Sequence, residues 1–235
     1  MTIANENRRC YIIGDIHGRL DLLDQLIAKI NSDAKEHGGE CLTVTLGDHI
    51  DRGPSSRGVL DRLISNPFPG PYIALKGNHE ELLETFLGDP TSGSYWRHLG
   101  GLETLHSFGV PVRRLMVGQD YNQAAEQLQA TLSPTQKKFL ASLKMSLTVG
   151  RYFLCHAGVR PGVSLAHQRA DDLLWIREEF LDSQLDFGKV VVHGHTPVVK
   201  PQSLPNRINI DTGAFATGRL TCVVLDGEHR RFIST

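Results

Sequence analysis

Four short apolar runs in this chain each end in a glycine followed by a polar residue of a kind that binds metal ions. They are Tyr11-Ile12-Ile13-Gly14-Asp15, Val44-Thr45-Leu46-Gly47-Asp48, Ala74-Leu75-Lys76-Gly77-Asn78 and Val191-Val192-His193-Gly194-His195. A fifth run, Tyr152-Phe153-Leu154-Cys155-His156, lacks the glycine. Each reads as a strand whose end presents an oxygen or nitrogen donor. Carboxylate, amide and imidazole without thiolate suit hard or borderline ions such as Mn²⁺, Fe or Zn²⁺. The simplest physical reason to gather such groups at strand ends is a bound metal cluster. The set therefore predicts a metalloenzyme. No serine or cysteine stands in a convincing activated setting.

More polar groups flank these ends. Asp15-Ile16-His17 puts two ligand types two residues apart, on one side of the chain if it stays extended. Asp51 and Arg52 follow Asp48, and His79 and Glu80 follow Asn78. Any one aspartate after a strand is as readily a helix cap. The weight lies in the set. His49 should point away from its ligand neighbour. His193 shares strand parity with His195 and competes with it as a ligand. Asp211-Thr212-Gly213 follows a strand and reads either as a partner to a ligand histidine or as a turn. His37, His98, His106, His167 and His229 read as surface or structural residues.

Elements must hold these groups in place. Leu20, Leu23, Leu26, Ile27 and Ile30 recur at helical spacing after the first run, Val59, Leu60, Leu63 and Ile64 after the second, and Leu82, Leu83, Phe86 and Leu87 after the third. The N-terminal part thus reads β-α-β-α-β-α, a parallel sheet covered by helices. Open sheets of this kind bind ligands beyond the carboxyl ends of their strands, where Asp15, Asp48 and Asn78 sit. Residues 88–150, broken by glycines, read as a helical insertion that either walls the site or only packs. Ser133-Pro134-Thr135-Gln136 is a strong helix start within it. After residue 150, runs at 151–155, 189–192, 208–210, 220–225 and 231–234 predict strands of a second sheet packed on the first.

Composition bounds the rest. The chain has 235 residues, 40% of them hydrophobic, which suits one sizeable domain with a normal core. Lys+Arg 25 against Asp+Glu 26 gives a net charge of −1, no surplus to favour nucleic acid as a partner. Apolar runs are too short to span a bilayer, and residues 1–9 lack the apolar centre of a signal peptide. Cys10, Cys41, Cys155 and Cys222 are scattered, which fits buried thiols in a reducing cytoplasm.

Gly14-Asp15-Ile16-His17-Gly18, Gly47-Asp48-His49-Ile50-Asp51-Arg52-Gly53, Gly77-Asn78-His79-Glu80, His156-Ala157-Gly158 and Gly194-His195-Thr196 together resemble the signature set of the PPP-type phosphoprotein phosphatases, within the calcineurin-like metallophosphoesterases. The resemblance is closest to compact bacterial members, which include diadenosine tetraphosphate hydrolases. It implies an α/β fold of two packed mixed β-sheets flanked by helices, in one domain over 1–235. It implies two divalent ions, Mn²⁺ first with Fe or Zn²⁺ open. Asp15, His17 and Asp48 would hold one, and Asp48, Asn78, His156 and His195 the other. A shared hydroxide would attack phosphorus directly. His79 would be the general acid, oriented by Asp51. Arg52 and Arg177 would grip phosphate, with Arg160 a third candidate against a surface ion pair. The expected reaction is hydrolysis of phosphoserine and phosphothreonine, with phosphotyrosine a further candidate. A symmetrical dinucleoside polyphosphate hydrolase is the alternative, and a metal-binding module without turnover a weaker third. Position 49 departs from the eukaryotic phosphatases, which carry an aromatic or apolar residue there. No regulatory subunit, membrane or nucleic-acid partner is expected. Physiological substrate, native metal and oligomeric state stay open.

Overall fold

The computed structural model describes residues 2–3 and 8–235, so the polar N-terminal stretch lies mostly outside the described residues. Two mixed β-sheets stack face to face. The first has the order β11-β10-β2-β3-β4, from β2 (Arg9–Ile13), β3 (Cys41–Thr45), β4 (Tyr72–Ala74), β10 (Thr221–Asp226) and β11 (His229–Ser234). Its strands β2, β3 and β4 run parallel, while β10 and β11 are antiparallel additions. The second has the order β1-β5-β6-β7-β9-β8, from β1 (Thr2–Ile3), β5 (Ser146–Val149), β6 (Tyr152–Cys155), β7 (Val190–His193), β8 (Gln202–Ser203) and β9 (Arg207–Asn209).

Helix α1 (Leu20–His37) follows β2, α2 (Ser56–Ile64) follows β3 and α3 (Asn78–Gly88) follows β4. The β-α repeat legible in the sequence is therefore present. Leu22, Leu23, Leu26, Ile27, Ile30 and Ala34 form the buried stripe of α1, which ends at Gly38 in the left-handed conformation, its N–H bonded to Ala34 O. Burying each of these leucines and isoleucines is worth about 1.5–3 kcal/mol. This stripe packs on the outer face of the first sheet, with Tyr11, Ile13 and Val224. Between the sheets lies a second core: Ile12, Val44 and Val223 of one sheet meet Leu147, Tyr152, Val192 and Ile208 of the other. Strands covered on both faces explain the apolar runs of β2 and β7. The outer face of the second sheet is covered by α8 (Ala170–Trp175) and α9 (Glu178–Leu181), through Leu173 and Phe180.

Between α3 and β5 the chain forms α4 (Gly93–Trp96), α5 (Gly101–Ser107), α6 (Tyr121–Thr131) and α7 (Pro134–Ser142), which share a core with Ile50, Leu83 and Phe86. Helix α7 begins as the sequence predicts: Ser133 Oγ accepts from Gln136 N at 3.2 Å, and Gln136 Oε1 from Ser133 N at 3.0 Å. The stretch 88–150 is not wholly helical, however. It ends in β5, whose four residues alternate half-buried and buried. A strand this short carries too little periodicity to stand out beside helices. A last short helix, α10 (Ala214–Thr217), follows β9. Among the described residues, no helix is long and apolar enough to cross a membrane.

Candidate active site

The polar residues at the ends of β2, β3, β4, β6 and β7 meet at one edge of the stacked sheets. Asp15, Asp48 and Asn78 come from the first sheet, and His156 and His195 from the second. All five are buried, as is His17. The glycines before the ligands have a steric reason. A Cβ on Gly77 would overlap the Asp48 carboxylate, and one on Gly194 would overlap that of Asp15. Each glycine thus lets the carboxylate of another motif approach its backbone. The turns are tight. His17, Asp48, Asp51, Arg52 and His195 have φ of 47°, 49°, 70°, 66° and 66°, a conformation costly for residues with a Cβ and frequent at functional sites. The condition for Asp15 and His17 to face one side, an extended backbone, does not hold: the chain turns at His17.

Two groups of donors share Asp48. His17, Asp48 and His79 form one, and Asp48, His156 and His195 the other. In the second, His156 Nε2 lies 2.8 Å from Asn78 Oδ1, 3.2 Å from His195 Nδ1 and 3.4 Å from Asp48 Oδ1. Donors bound at about 2.0–2.2 Å stand about 3 Å apart around a common ion. Backbone carbonyls fix the rings: His17 Nδ1 donates to Ile50 O at 2.9 Å and His156 Nδ1 to Leu46 O at 3.1 Å. That leaves each Nε2 lone pair facing inward, as in metal-ligating imidazoles. Asp15 stands outside the tight groups. Its Oδ2 accepts from His195 N at 3.0 Å, while Oδ1 is buried without a hydrogen-bond partner, as is His195 Nε2. A buried carboxylate oxygen with no donor is costly unless a cation satisfies it. The donor set fits two neighbouring divalent ions.

Electrostatics agree. Burial lowers the pKa of His17 to about 3 and that of His195 to about 2, and lowers that of His156, keeping these imidazoles neutral as ligands must be. Burial opposes the charge on Asp48, but the imidazoles around it, His156 first, hold its carboxyl well below the usual range. Burial, then Asp211 and Asp48, raise Asp15 well above that range. Burial also pushes Asp211 up to about 6. These are carboxylates crowded together in a buried site.

His79 is held differently. Its Nδ1 donates to Asp51 Oδ2 at 2.7 Å, and its Nε2 lies 3.3 Å from Arg52 Nη2 and 3.7 Å from Asp48 Oδ2. Burial works against its positive charge, yet Asp48 and Asp51 outweigh it and raise the pKa. Asp51 is fully buried and saturated. Trp96 Nε1 donates to its Oδ2 at 2.7 Å and Thr104 Oγ1 to its Oδ1 at 2.5 Å. Gly100 O accepts from Arg52 N at 3.2 Å. The stretch 88–150 therefore braces the residues beside the metal-ligand groups.

Arg177 lies near His195, its Nη1 donating to Thr196 Oγ1 at 3.3 Å. Arg160 is placed otherwise than expected. Its Nε and Nη2 bind Asp172 Oδ1 at 2.9 and 2.6 Å, and its Nη1 binds Glu179 at 2.6 Å. A guanidinium so engaged favours the surface ion pair over phosphate contact, the other reading of this residue. His49 points away from the donors, Nε2 to Thr45 Oγ1 at 2.7 Å. His193 packs edge-on against Phe180 with Nδ1 toward Gly194 O, so it does not compete with His195. Asp211 binds Gly213 N at 2.8 Å, a turn contact beside Asp15 rather than a histidine partner. Sequence reasoning missed Trp96, Thr104 and Phe215, which come from helices with no motif. It also gave no role to Glu80, although the Glu80 spacing at the third position of α3 signals a cap.

Likeness to other proteins runs the length of the chain. A protein of Anoxybacillus flavithermus named bis(5′-nucleosyl)-tetraphosphatase PrpE (asymmetrical) is 28% identical over 233 residues, covering 90% of this chain and 88% of that one. Serine/threonine-protein phosphatase 2 of Salmonella typhimurium is 28% identical over 224 residues, 91% of each. A crystal structure provisionally assigned as a diadenosine tetraphosphatase superposes with a TM-score of 0.67 at 21% identity, covering 99% and 96% of the two chains, and shares the fold. The profile of the calcineurin-like phosphoesterases matches residues 8–220, from β2 to the edge of β10, so the chain belongs to that family of metal-dependent phosphoric ester hydrolases.

Proposed function

We propose that this phosphoesterase hydrolyses phosphomonoesters on proteins. In this reading Asp15, His17 and Asp48 hold one divalent cation, and Asp48, Asn78, His156 and His195 hold a second. Mn²⁺ is the preferred ion, and Fe or Zn²⁺ fit the same donors. When bound, such a pair supplies Lewis acidity toward phosphoryl oxygens and lowers the pKa of a bound water. The chain's own residues do the remainder. Arg52 and Arg177 bracket the phosphoryl group. His79, whose positive charge Asp48 and Asp51 favour, delivers a proton from Nε2 to the leaving oxygen.

The observation that carries the choice of substrate is which cations are spoken for. Arg19 pairs with Asp21, Arg62 with Asp24, and Arg160 with Asp172 and Glu179. Arg52 and Arg177 have no carboxylate within ion-pair reach among the described residues. Two unpaired guanidiniums suit one phosphoryl group. A polyphosphate chain brings several more charges than these two guanidiniums can match. The second reading, a dinucleoside tetraphosphate hydrolase, draws on the Anoxybacillus relative. That relative is named asymmetrical, so the symmetrical cleavage expected from the sequence is replaced in this alternative by asymmetrical cleavage. The third reading, a module without turnover, is disfavoured by the intact Asp51–His79–Arg52 arrangement.

Mn²⁺-loaded protein offered phosphoserine and phosphothreonine peptides and diadenosine tetraphosphate side by side decides among them. The peptides are expected to give the higher kcat/KM, and Asp15→Asn to abolish turnover. A higher kcat/KM on the tetraphosphate, with ATP and AMP released, overturns the substrate choice. No turnover of any of these, nor of p-nitrophenyl phosphate, overturns the enzymatic reading of this site. A cytoplasmic location is part of the proposal, supported by the four buried cysteine side chains.

A further inference from the structure

A cavity of about 690 Å³ opens beside the metal-ligand groups, walled by Gly18, Arg19, Leu20, Arg52, Pro54 and Phe215. Gly18 follows His17 directly. Arg52 belongs to both places, with Nη2 against His79 and its guanidinium carbon 4.6 Å from the centre of the Phe215 ring. Phe215 also meets the His17 ring edge-on at 5.5 Å, yet it is 37% exposed. A phenyl ring at the mouth of a cavity, bounded by a ligand imidazole and a phosphate-binding guanidinium, presents a flat apolar face to whatever enters.

We infer that this cavity receives the leaving group, and that Phe215 and Arg52 select a planar aryl group such as the side chain of phosphotyrosine. This rests on the phosphomonoesterase reading above. His79 protonates the leaving oxygen, so the rest of the leaving group emerges beside Arg52, at the cavity mouth. In the reaction the P–O(aryl) bond breaks, water supplies the new P–O bond, and the aryloxide takes its proton from His79 Nε2. The charges inside the cavity favour a neutral ring over a second phosphate. Asp21 and Asp24 line it, neutralised by Arg19 and Arg62. Further phosphates would face these carboxylates with no unpaired cation beyond Arg52. A ring instead gains contact with Phe215, Leu20 and Pro54 and stacks in preferred geometries. A serine or threonine leaving group offers no ring to stack on Phe215.

Phenylphosphonate and methylphosphonate, which are not hydrolysed, separate the two parts of the site. Calorimetric titration of Mn²⁺-loaded protein should show phenylphosphonate binding about fivefold more tightly. The Phe215→Ala substitution should remove most of that preference, and Phe215→Tyr should restore it. In parallel, kcat/KM on one peptide carrying phosphotyrosine or phosphoserine should show a ratio favouring phosphotyrosine, which Phe215→Ala lowers about fivefold. Phe215 is exposed enough that its variants should melt as the wild type does, which a thermal scan checks. Equal binding of the two phosphonates by wild type, or an unchanged peptide ratio in Phe215→Ala, overturns the inference. So does a Phe215→Ala loss confined to diadenosine tetraphosphate, which would make the occupant a nucleobase. Failure to bind either phosphonate strikes instead at the phosphomonoesterase reading.

Discussion

Glu80 accepts the backbone N–H of Asp48 at 2.9 Å across 32 residues of sequence, tying the first turn of α3 to the loop after β3. The same oxygen takes Gly77 N at 2.8 Å, and the other takes His49 N at 2.8 Å. The carboxylate is fully buried, and despite that burial His49 and the amides draw its pKa down to about 2. Glu80→Gln turns an amide nitrogen toward backbone donors. The expected loss is about 2–4 kcal/mol of stability, with weaker Mn²⁺ binding. Urea denaturation and metal titration check both. A loss below about 0.5 kcal/mol would show that the clamp is dispensable.

Asp51→Asn keeps the shape of the Asp51–His79 contact and removes the charge that favours imidazolium. Turnover of a phosphoserine peptide, whose alkoxide leaves poorly without a proton, should fall on the order of 100-fold. Turnover of p-nitrophenyl phosphate, with its stable leaving anion, should fall much less. Equal losses on both substrates would remove His79 from the role of proton donor.

Thr104→Val and Trp96→Phe strip hydroxyl and indole donors from Asp51 while keeping most of the buried volume. Each should cost about 1–3 kcal/mol, since a buried carboxylate loses a partner. Each should also lower turnover of the phosphoserine peptide more than of p-nitrophenyl phosphate, mimicking Asp51→Asn in part. If turnover is unmoved, the helices after α3 only pack.

Arg52→Ala should raise KM for a phosphopeptide about tenfold or more through loss of a charge-assisted contact. Arg160→Ala should leave KM where it is, because its guanidinium serves Asp172 and Glu179. A raised KM in Arg160→Ala would restore it as a phosphate ligand.

The metal-free protein should be acid-labile. Burial lowers His17 and His193 to about 3 and His195 to about 2, and lowers His156. Their native forms refuse protons that the unfolded chain accepts below about pH 6.5, so stability is full above that pH and falls as pH drops. His79, Asp15 and Asp211, whose pKa values are raised, offset part of this. The net loss from pH 7 to pH 5 should be on the order of 3–5 kcal/mol, read from denaturant midpoints after chelation. His193→Gln, at a residue outside the donor groups, should flatten the slope, and added Mn²⁺ should stabilise more at pH 7 than at pH 5. A flat profile would count against neutral native imidazoles.

The strands and the donor residues at their ends were readable because they sit in contiguous motifs: an apolar run, a glycine, a donor. Parity and spacing carried the helices α1 to α3. What escaped was whatever depends on distant chain meeting in space. Nothing near Trp96 or Thr104 announces a carboxylate 45 or 53 residues earlier. The turn at His17 hid because left-handed backbone at a histidine leaves no trace in residue type. Arg160 misled because its place after His156-Ala157-Gly158 says nothing of Asp172 and Glu179, which only folding delivers. Phe215 sits in a four-residue helix too short for any pattern.

The six donor residues are drawn from two sheets that share a core but, among the described residues, no strand ladder beyond the single bridge of Leu75 to Lys144. The reaction centre is therefore a rivet through a seam. Shearing one layer past the other by about an ångström would scatter its donors while every strand kept its neighbours. Inactivation on warming should accordingly run ahead of the loss of circular dichroism, and a filled cation pair should bring the two events together.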